Sequence, residues 1–340
     1  MKNAPIIIIV MFVLGTIIAM AGLVFGASTS LSGTSAGILR SDNGSASWTV
    51  APDIFKSEIE TIYFASNGTV YAGTRRDGLW TAGPNGKWSQ TATAGLGSGA
   101  RILDVTAQDG TALAAVFSGN QGRILRLDGK TERELYFTPL SKYAIFGLAQ
   151  DPRDYRVLRI ISTDGGFYES VDGGTSWKSV YRFNEGLVRL IADPSDGGRF
   201  WVVTSRGNIY GTNDAGRTWR DLSSGLAKFD RASDIQSVVL DPRSGALYLG
   251  TGYGLLRSYD GGVSWQAVPL TIPPEVLPVT AVAVDPRNPK TIYAAAKNQL
   301  YVSYDNGESW HGSILPTKRT VYTIAIDPQN GNNILIGLRR

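Results

Sequence analysis

Hydrophobic and polar positions follow two different patterns along the chain. Residues 4–27 are almost entirely apolar and carry no charged side chain. A helix of that length, at ~1.5 Å per residue, is long enough to cross a hydrocarbon core of ~30 Å. Beyond it, short β-rich runs such as 280–284 and 299–303 alternate with turns rich in Gly, Pro, Asn and Asp. These runs predict strands, and no stretch outside the apolar segment keeps a 3.6-residue period. We therefore expect an all-β domain behind an N-terminal transmembrane helix.

The apolar segment has two interpretations. Lys2 is the only charged side chain before it, which favours a single-pass anchor with a cytoplasmic N-terminus and an extracytoplasmic domain, whether periplasmic, lumenal or at the cell surface. The alternative is a cleaved signal peptide, with residues 19–21 as an Ala-Met-Ala cleavage signature. We favour the anchor because signal-peptide apolar cores usually span only ~7–15 residues. The expected domains are the anchor (1–27), a flexible linker of small residues (28–35) and the β domain (36–340).

Two kinds of turn recur along the β domain. Four segments share the pattern Ser/Thr-x-Asp-x-Gly-x-x-Trp, with Asp-to-Asp spacings of 42, 46 and 45 residues; they are 170–177, 212–219, 258–265 and 303–310. Degenerate copies precede them at 128–129, 83–88 and 42–48. Asp-Pro, Asn-Gly or Asp-Gly pairs form a second series, at 67–68, 109–110, 151–152, 193–194, 241–242, 285–286 and 327–328. Units of about 40–45 residues with four short strands each are typical of β-propellers.

Seven copies of each turn predict seven four-stranded blades. The two series are out of phase, because the chain begins with a turn of one kind and ends with a turn of the other. One blade must therefore be shared, with its outer strands from residues 37–51 and its inner strands from residues 321–338. This closure removes the open sheet edges that a linear array of blades would leave.

The repeated motif resembles the Asp-box, or BNR-type, repeat. Propellers with this repeat include sialidases, xyloglucanases, the sortilin ectodomain and photosystem II assembly factors. The resemblance implies the propeller fold over nearly all of the β domain. It implies no particular function, because these families perform unrelated tasks.

The residues of the motif itself are expected to be structural. In each turn the Asp can accept turn N–H groups and the Trp can pack between sheets. The members are Asp172, Trp177, Asp214, Trp219, Asp260, Trp265, Asp305 and Trp310. Cys is absent and His311 is the one histidine of the chain, which excludes disulfides, thiolate sites and His-pair metal sites. We expect no metal, no cofactor and, with a net charge of only +4, no nucleic-acid partner.

Connectivity divides the propeller into two faces. First-to-second and third-to-fourth turns share the turn face, whereas second-to-third loops and blade-to-blade connections share the connection face. Basic residues with one Tyr are expected on the connection face, a composition that suits carboxylates, phosphates or acidic protein loops. They are Arg75, Arg76, Arg101, Arg123, Arg206, Tyr253, Lys297, Lys318, Arg319, Arg339 and Arg340. The alternative interpretation is an ordinary solvated rim.

These features favour a non-catalytic interaction module. We expect a membrane-anchored propeller that scaffolds, assembles or stabilises a membrane protein complex, with its basic face on that complex or on anionic head groups. The alternative is a cell-surface glycoside hydrolase or carbohydrate-binding protein, for which a glycan is the partner. Hydrolysis needs two carboxyls at ~5–9.5 Å, and the sequence selects no pair among its candidates. Those candidates are Asp77, Asp164, Asp230, Asp234 and Glu275.

Overall fold

The structure is a computed structural model that describes residues 37–51, 58–83, 86–91, 93, 95–108, 110–129 and 131–340. The expected anchor and linker lie outside these residues. None of the helices within the described ranges has the length and apolar character needed to span a membrane. Their regular structure is β-strand, apart from a short 3-10 helix at Ser223–Leu226.

Seven antiparallel sheets of four strands each make up the described chain. The chain opens with β1 (Ile38–Ser41) and β2 (Thr49–Val50), which belong to the last blade. Blades 1 to 3 are β3–β6 (Ile59–Phe64, Val70–Thr74, Leu79–Ala82, Trp88–Gln90), β7–β10 (Arg101–Gln108, Thr111–Ser118, Gln121–Asp128, Thr131–Phe137) and β11–β14 (Ile145–Gln150, Leu158–Ser162, Gly166–Ser170, Lys178–Arg182).

The remaining blades follow in chain order. Blades 4 to 6 are β15–β18 (Leu187–Asp193, Asp196–Thr204, Ile209–Thr212, Arg220–Asp221), β19–β22 (Ile235–Leu240, Leu247–Thr251, Leu255–Ser258, Gln266–Val268) and β23–β26 (Ala281–Val284, Ile292–Ala296, Gln299–Ser303, His311–Ile314). Blade 7 combines β27 (Thr320–Ile326) and β28 (Ile334–Arg339) with β1 and β2. The predicted seven-bladed, four-stranded propeller is confirmed.

Burial changes from the inner to the outer strands of a blade. Every residue of the second strands β12, β20 and β24 is buried, because these strands pack against a neighbouring blade on both faces. Every residue of the fourth strand β26 is exposed. In the sequence, the inner strands are therefore mostly continuous apolar runs, and the outer strands are short and more polar.

The shared blade forms as the two series of turns predict. In blade 7, β1 pairs antiparallel with β28, with Ile38 opposite Gly337 and Ser41 opposite Ile334. The N–H of Leu338 also donates to the carbonyl of Gly37 at 2.7 Å. The first and last described strands thus close the ring, and β1 begins at the connection face.

The Asp of each intact motif organises its own turn. In the turn of blade 3, Oδ1 of Asp172 accepts the N–H of Ser176 at 2.9 Å, and Oδ2 accepts its hydroxyl at 2.6 Å. The hydroxyl of Ser170 donates to Asp172 Oδ1 at 2.8 Å. The same contacts recur in the triplets Thr212, Asp214, Thr218; Ser258, Asp260, Ser264; and Ser303, Asp305, Ser309. The donated hydroxyl and N–H groups lower the pKa of Asp172, Asp214 and Asp260 to about 2.

The Gly and Trp of the motif connect neighbouring blades. Gly174 has φ +86, and a Cβ there would lie 2.8 Å from the Leu135 side chain of the preceding blade. The Trp177 indole N–H donates to the carbonyl of Leu135 at 3.0 Å. Trp265 is fully buried in one cluster with Trp201 and Leu222 of blade 4. Each turn of this kind therefore packs its own blade against the one before it.

Closure of the ring can be tested by truncation. Deleting residues 321–340 removes β28 and all of β27 except Thr320, and leaves unpaired edges on both sides of the gap. We expect the cooperative thermal transition, followed by circular dichroism, to be lost. As a control, deleting residues 1–27 leaves every described strand in place. A 321–340 deletion that melts cooperatively within a few degrees of the intact protein contradicts the closure by β1 and β28.

The inter-blade role of the motif Trp can be tested at Trp265. We expect Trp265→Ala to lower the unfolding free energy by ~3–5 kcal/mol, measured by urea denaturation, because it empties a fully buried site between two blades. Tyr259→Ala, in the same turn but 54% exposed, is the control and should cost less than ~1 kcal/mol. Similar losses for the two variants would refute the packing role.

Candidate functional site

The first strands of the blades share an irregularity near the connection face. In six of the seven, the register against the second strand shifts by one residue. The residues at the shift are Glu60, Leu103, Phe146, Val188, Gln236 and Tyr322. The seventh, β23, pairs without a shift. A bulge re-aims side chains, and here it lets consecutive residues of a strand face the centre.

A polar chamber occupies the centre of the propeller. It has a volume of about 250 Å³ and is lined by residues of β3, β7, β11, β15, β19 and β27. Glu60, Asp104, Arg189 and Tyr322 are among them. Charged groups that line a cavity are candidates for a binding site, because their burial has to be compensated by specific partners.

Glu60 holds two arginines at the connection-face end of this chamber. Its side chain is only 3% exposed and accepts a hydrogen bond from Arg101 Nε at 2.9 Å. Its second carboxylate oxygen pairs with Arg339, and the Arg339 guanidinium lies over the ring of Tyr322. Burial lowers the pKa of Arg339, although Tyr322 and Glu60 oppose this effect.

Glu58 gathers further basic residues beside this pair. It accepts a hydrogen bond from Arg75 Nη1 at 2.7 Å and from the backbone N–H of Arg340 at 3.3 Å. Partial burial acts to raise the pKa of Glu58, but the hydrogen bonds from Arg75 and Arg340 and the charges of Arg75 and Arg339 together outweigh it, and the pKa lies below its usual value. We call this group the mouth cluster; it comprises Arg75, Arg101, Arg339, Arg340, Glu58 and Glu60.

Asp104 lies deeper in the chamber and bridges two blades. Oδ1 accepts the N–H of Val105 at 2.9 Å, and Oδ2 accepts the N–H of Leu148 on β11 at 3.0 Å. Burial nevertheless raises the pKa of Asp104 to about 6. Arg189, which favours the ionised form, donates instead to Tyr322 Oη at 3.1 Å and to the Gln236 carbonyl at 3.3 Å.

The other predicted binding residues are not members of the mouth cluster. Arg123 lies on β9 rather than in a loop and pairs with Glu134 at 2.9 Å. Arg206 lies 3.8 Å from Glu185. The remaining members lie in connection-face loops. The ring centroids of Tyr253 and Phe229 are 5.0 Å apart. Arg76, Lys297 and Lys318 are exposed, and Arg319 is half-buried. Arg101 and Arg339, expected in this set, lie on β7 and β28.

Among the carboxylates considered for hydrolysis, Asp164 accepts several hydrogen bonds. Asp164 accepts hydrogen bonds from Gly166 N–H and Tyr168 Oη at 3.0 Å and from Arg182 at 3.1 Å, besides the Ser162 hydroxyl. Burial acts to raise its pKa, but these donors lower it below the usual value. A glycosidase acid needs a raised pKa, so Asp164 is unsuited to that role.

Several residues of the central chamber are absent from the predicted binding set, although the sequence gives an indication of three of them. Glu60, Asp104 and Arg189 each interrupt the apolar run of a first strand, where a blade interior predicts hydrophobic residues. Asp104 and Arg189 occupy equivalent positions of their repeats and Glu60 lies one position earlier, which indicates a shared central location. Glu58 and Tyr322 carry no such signal.

The fold and the repeated motif define the class of protein. Seven four-stranded blades, with Ser/Thr-x-Asp-x-Gly-x-x-Trp in the third-to-fourth-strand turns of blades 3 to 6, make this chain an Asp-box (BNR-type) repeat β-propeller. More particularly, the family model of the photosynthesis system II assembly factor YCF48 matches residues 153–312, a little under half of the chain. No curated protein matches the chain.

Solved structures have the same fold at low sequence identity. YCF48 from Cyanidioschyzon merolae is 15% identical with a TM-score of 0.69, covering 86% of this chain and 99% of that one. YCF48 bound to D1 peptide is 16% identical with a TM-score of 0.66, covering 84% and 94%. The GH74 xyloglucanase from Xanthomonas campestris is 21% identical with a TM-score of 0.65, covering 83% and 51%. This chain therefore spans about half the length of that xyloglucanase.

The raised pKa of Asp104 predicts a pH dependence of stability. Because its pKa is about 6 in the folded protein and 3.8 without burial, protonation favours the folded state. The contribution of Asp104 is fully present below about pH 4 and is lost as the pH rises through 6. We expect the difference in unfolding free energy between wild type and Asp104→Asn to change by about 2 kcal/mol between pH 4.5 and 7.5, because the pKa of about 6 lies about 1.5 pH units above the lower end of this range. Urea denaturation at pH 4.5 to 7.5 measures it.

Asp260→Asn is the matched control for this experiment. Donated hydrogen bonds lower the pKa of Asp260 to about 2, so its contribution is present above pH 4 and is lost only in stronger acid. Between pH 4.5 and 7.5 this variant should parallel the wild type. Parallel pH profiles for wild type and Asp104→Asn would exclude a raised pKa at Asp104.

Proposed function

We propose that this protein is a non-catalytic docking module that binds an acidic segment of a membrane protein complex at the mouth cluster, and thereby assembles or stabilises that complex. The observation that carries the proposal is the imbalance of charge in this cluster. Three guanidinium groups contact only two carboxylates, of which Glu60 is buried between two of them, and the exposed Arg340 lies beside Glu58 through its backbone N–H.

The mouth cluster offers preorganised donors to a carboxylate. Each guanidinium has five N–H donors in a fixed plane, and bonds to Glu58 and Glu60 use only some of them. The Arg75 side chain is 47% exposed and the Arg101 side chain 30% exposed, so an incoming ligand can reach both guanidinium groups. Glu58 and Glu60 already order these arginine side chains, so the side chains lose less conformational entropy when a carboxylate binds.

A peptide ligand is consistent with the similar proteins. One of the solved propellers is YCF48 bound to D1 peptide, so a propeller of this fold can hold a peptide. The proposal extends peptide binding to this chain on the strength of its own mouth cluster. Anionic lipid head groups are the alternative ligand for the same guanidinium groups.

Residues 4–27 are proposed as a single-pass anchor, with the N-terminus in the cytoplasm and the propeller on the extracytoplasmic side. An anchor raises the effective concentration of a membrane partner, so modest contacts at the mouth cluster are sufficient for retention. The support is the length and uncharged character of this segment.

The docking role can be tested by reversing two exposed charges. We expect Arg75→Glu/Arg340→Glu to reduce co-purification of a membrane complex from native membranes at least tenfold, measured by quantitative mass spectrometry. A tenfold loss corresponds to ~1.4 kcal/mol, below the usual cost of a truncated interfacial charge pair. Arg75 forms an exposed ion pair of little value to folding, so the thermal transition should move little.

A matched control changes the same charge on the other face. Arg153 and Arg217 are exposed in turn-face loops, and Arg153→Glu/Arg217→Glu should co-purify like the wild type. Equal retention of the two double variants would refute docking at the mouth cluster. If anionic vesicles bind the wild type as strongly as the native membranes do, and lose binding with Arg75→Glu/Arg340→Glu, the ligand is lipid rather than a protein segment.

A further inference from the structure

A second concave site lies on the turn face, opposite the mouth cluster. It is a groove of about 350 Å³ where the first-to-second-strand turns of blades 2, 3 and 4 meet. Tyr63, Gln108, Gln150, Tyr155 and Phe200 are among its lining residues. We propose that this groove binds an uncharged sugar unit of a glycan.

Tyr155 supplies an aromatic surface at the rim of the groove. It belongs to the turn between β11 and β12 and is 44% exposed. Gln108 Nε2 of blade 2 donates to its phenol oxygen at 3.0 Å, and Gln150 Nε2 donates to its backbone carbonyl at 2.8 Å. Two amides therefore fix a tyrosine that is only partly covered by protein. A fixed aromatic ring suits the apolar C–H face of a pyranose, since Tyr combines a hydrophobic body with a polar tip.

The same residues keep hydrogen-bonding capacity for sugar hydroxyls. After the bonds to Tyr155, each amide retains a carbonyl oxygen and one N–H, and the Tyr155 phenol retains its O–H. Hydroxyl groups both donate and accept, so they can satisfy donors and acceptors that lie side by side. A ligand with only one kind of polar group would leave part of this set unpaired.

The carboxylates at the groove are already neutralised. Asp151 Oδ1 accepts the N–H of Arg153 at 2.9 Å, and Oδ2 lies 3.5 Å from Arg159. Asp193 accepts the N–H of Ser195 at 2.9 Å and lies 3.5 Å from Arg199. Each charge that lines the groove among the described residues thus has an opposite charge beside it, which favours an uncharged ligand over an ionic one.

The walls of the groove are held rigidly against each other. Arg153 Nη2 donates to the carbonyl of Ser195 at 3.2 Å and so ties the turn of blade 3 to that of blade 4. A Cβ at Gly197 would lie 2.0 Å from Asp151 Oδ2, so a larger residue there would displace the Asp151 carboxylate where these two turns meet. A preformed groove lowers the entropic cost of binding. Its volume lies near the lower end of the ~300–1,000 Å³ typical of small-molecule sites, which suits a single ring with the rest of the glycan outside.

The experiment uses the full chain in a zwitterionic detergent, because sugar-headed detergents would compete. The probes are neutral tetrasaccharides of glucose, galactose and mannose, with tetragalacturonate as the charged comparison. Saturation-transfer NMR identifies binding and titration calorimetry gives the Kd. We expect at least one neutral probe to bind with a Kd below about 1 mM, and the uronate to bind at least tenfold more weakly.

Variants then locate the site. We expect Tyr155→Ala to weaken binding at least tenfold, and Gln108→Ala to weaken it severalfold. Tyr155→Phe keeps the ring and should lose less than Tyr155→Ala, which separates ring stacking from a general disturbance of the turn. Tyr259→Ala, which removes an exposed tyrosine from another turn of the same face, should leave the Kd unchanged.

Three results would overturn the proposal. They are the absence of binding by every neutral probe up to about 10 mM, equal binding by wild type and Tyr155→Ala, and tighter binding of the uronate than of the neutral probes. None of these results bears on the mouth cluster, because that cluster lies on the other face and none of these variants alters it.

Discussion

The pairing of β1 with β28 is the interaction on which the rest of the structure depends. Four residue pairs between strands almost 300 positions apart convert a row of blades into a ring. Only in a ring do the first strands surround a common centre, and only then do Glu60 of blade 1 and Arg339 of blade 7 become neighbours. The four intact Asp-box turns pack blades 3 to 6 against the blades before them, but they do not themselves determine that the row closes.

The ring creates an unusual environment at its centre. A propeller axis is lined by strands that are otherwise apolar, so charged residues there are shielded from water and must find partners in other blades. Glu60 does so with Arg101 and Arg339, while Asp104 depends on backbone N–H groups of two blades. The register shifts of the first strands make this possible, because they turn extra side chains toward the axis. The charged residues at the axis therefore affect both the stability of the ring and its capacity to bind a ligand.

The two faces offer different chemistry because different parts of the blade build them. At the connection face, strand ends and loops bring guanidinium groups together around Glu58 and Glu60. At the turn face, the Asp-Pro turns use their carboxylates to hold their own backbone, which leaves amides and Tyr155 to line the groove. An anionic segment suits the first face and an uncharged ligand suits the second.

The sequence by itself determined the number of blades, the four strands of each and the shared closing blade, because turn chemistry is local and repeats with the blade. Asp172 and Gly174 act within a few residues of themselves, so their spacing is enough to reveal them. It also indicated a basic connection face, because connectivity fixes which loops lie together. Tertiary structure alone decided that Arg75, Arg101, Arg339 and Arg340 converge while Arg123 and Arg206 pair elsewhere. It also decided that Asp104 lines the central chamber with a raised pKa. Charged residues in the apolar first strands indicate a central location, but their partners and pKa shifts depend on distances between residues far apart in the chain and on burial, which the sequence does not give.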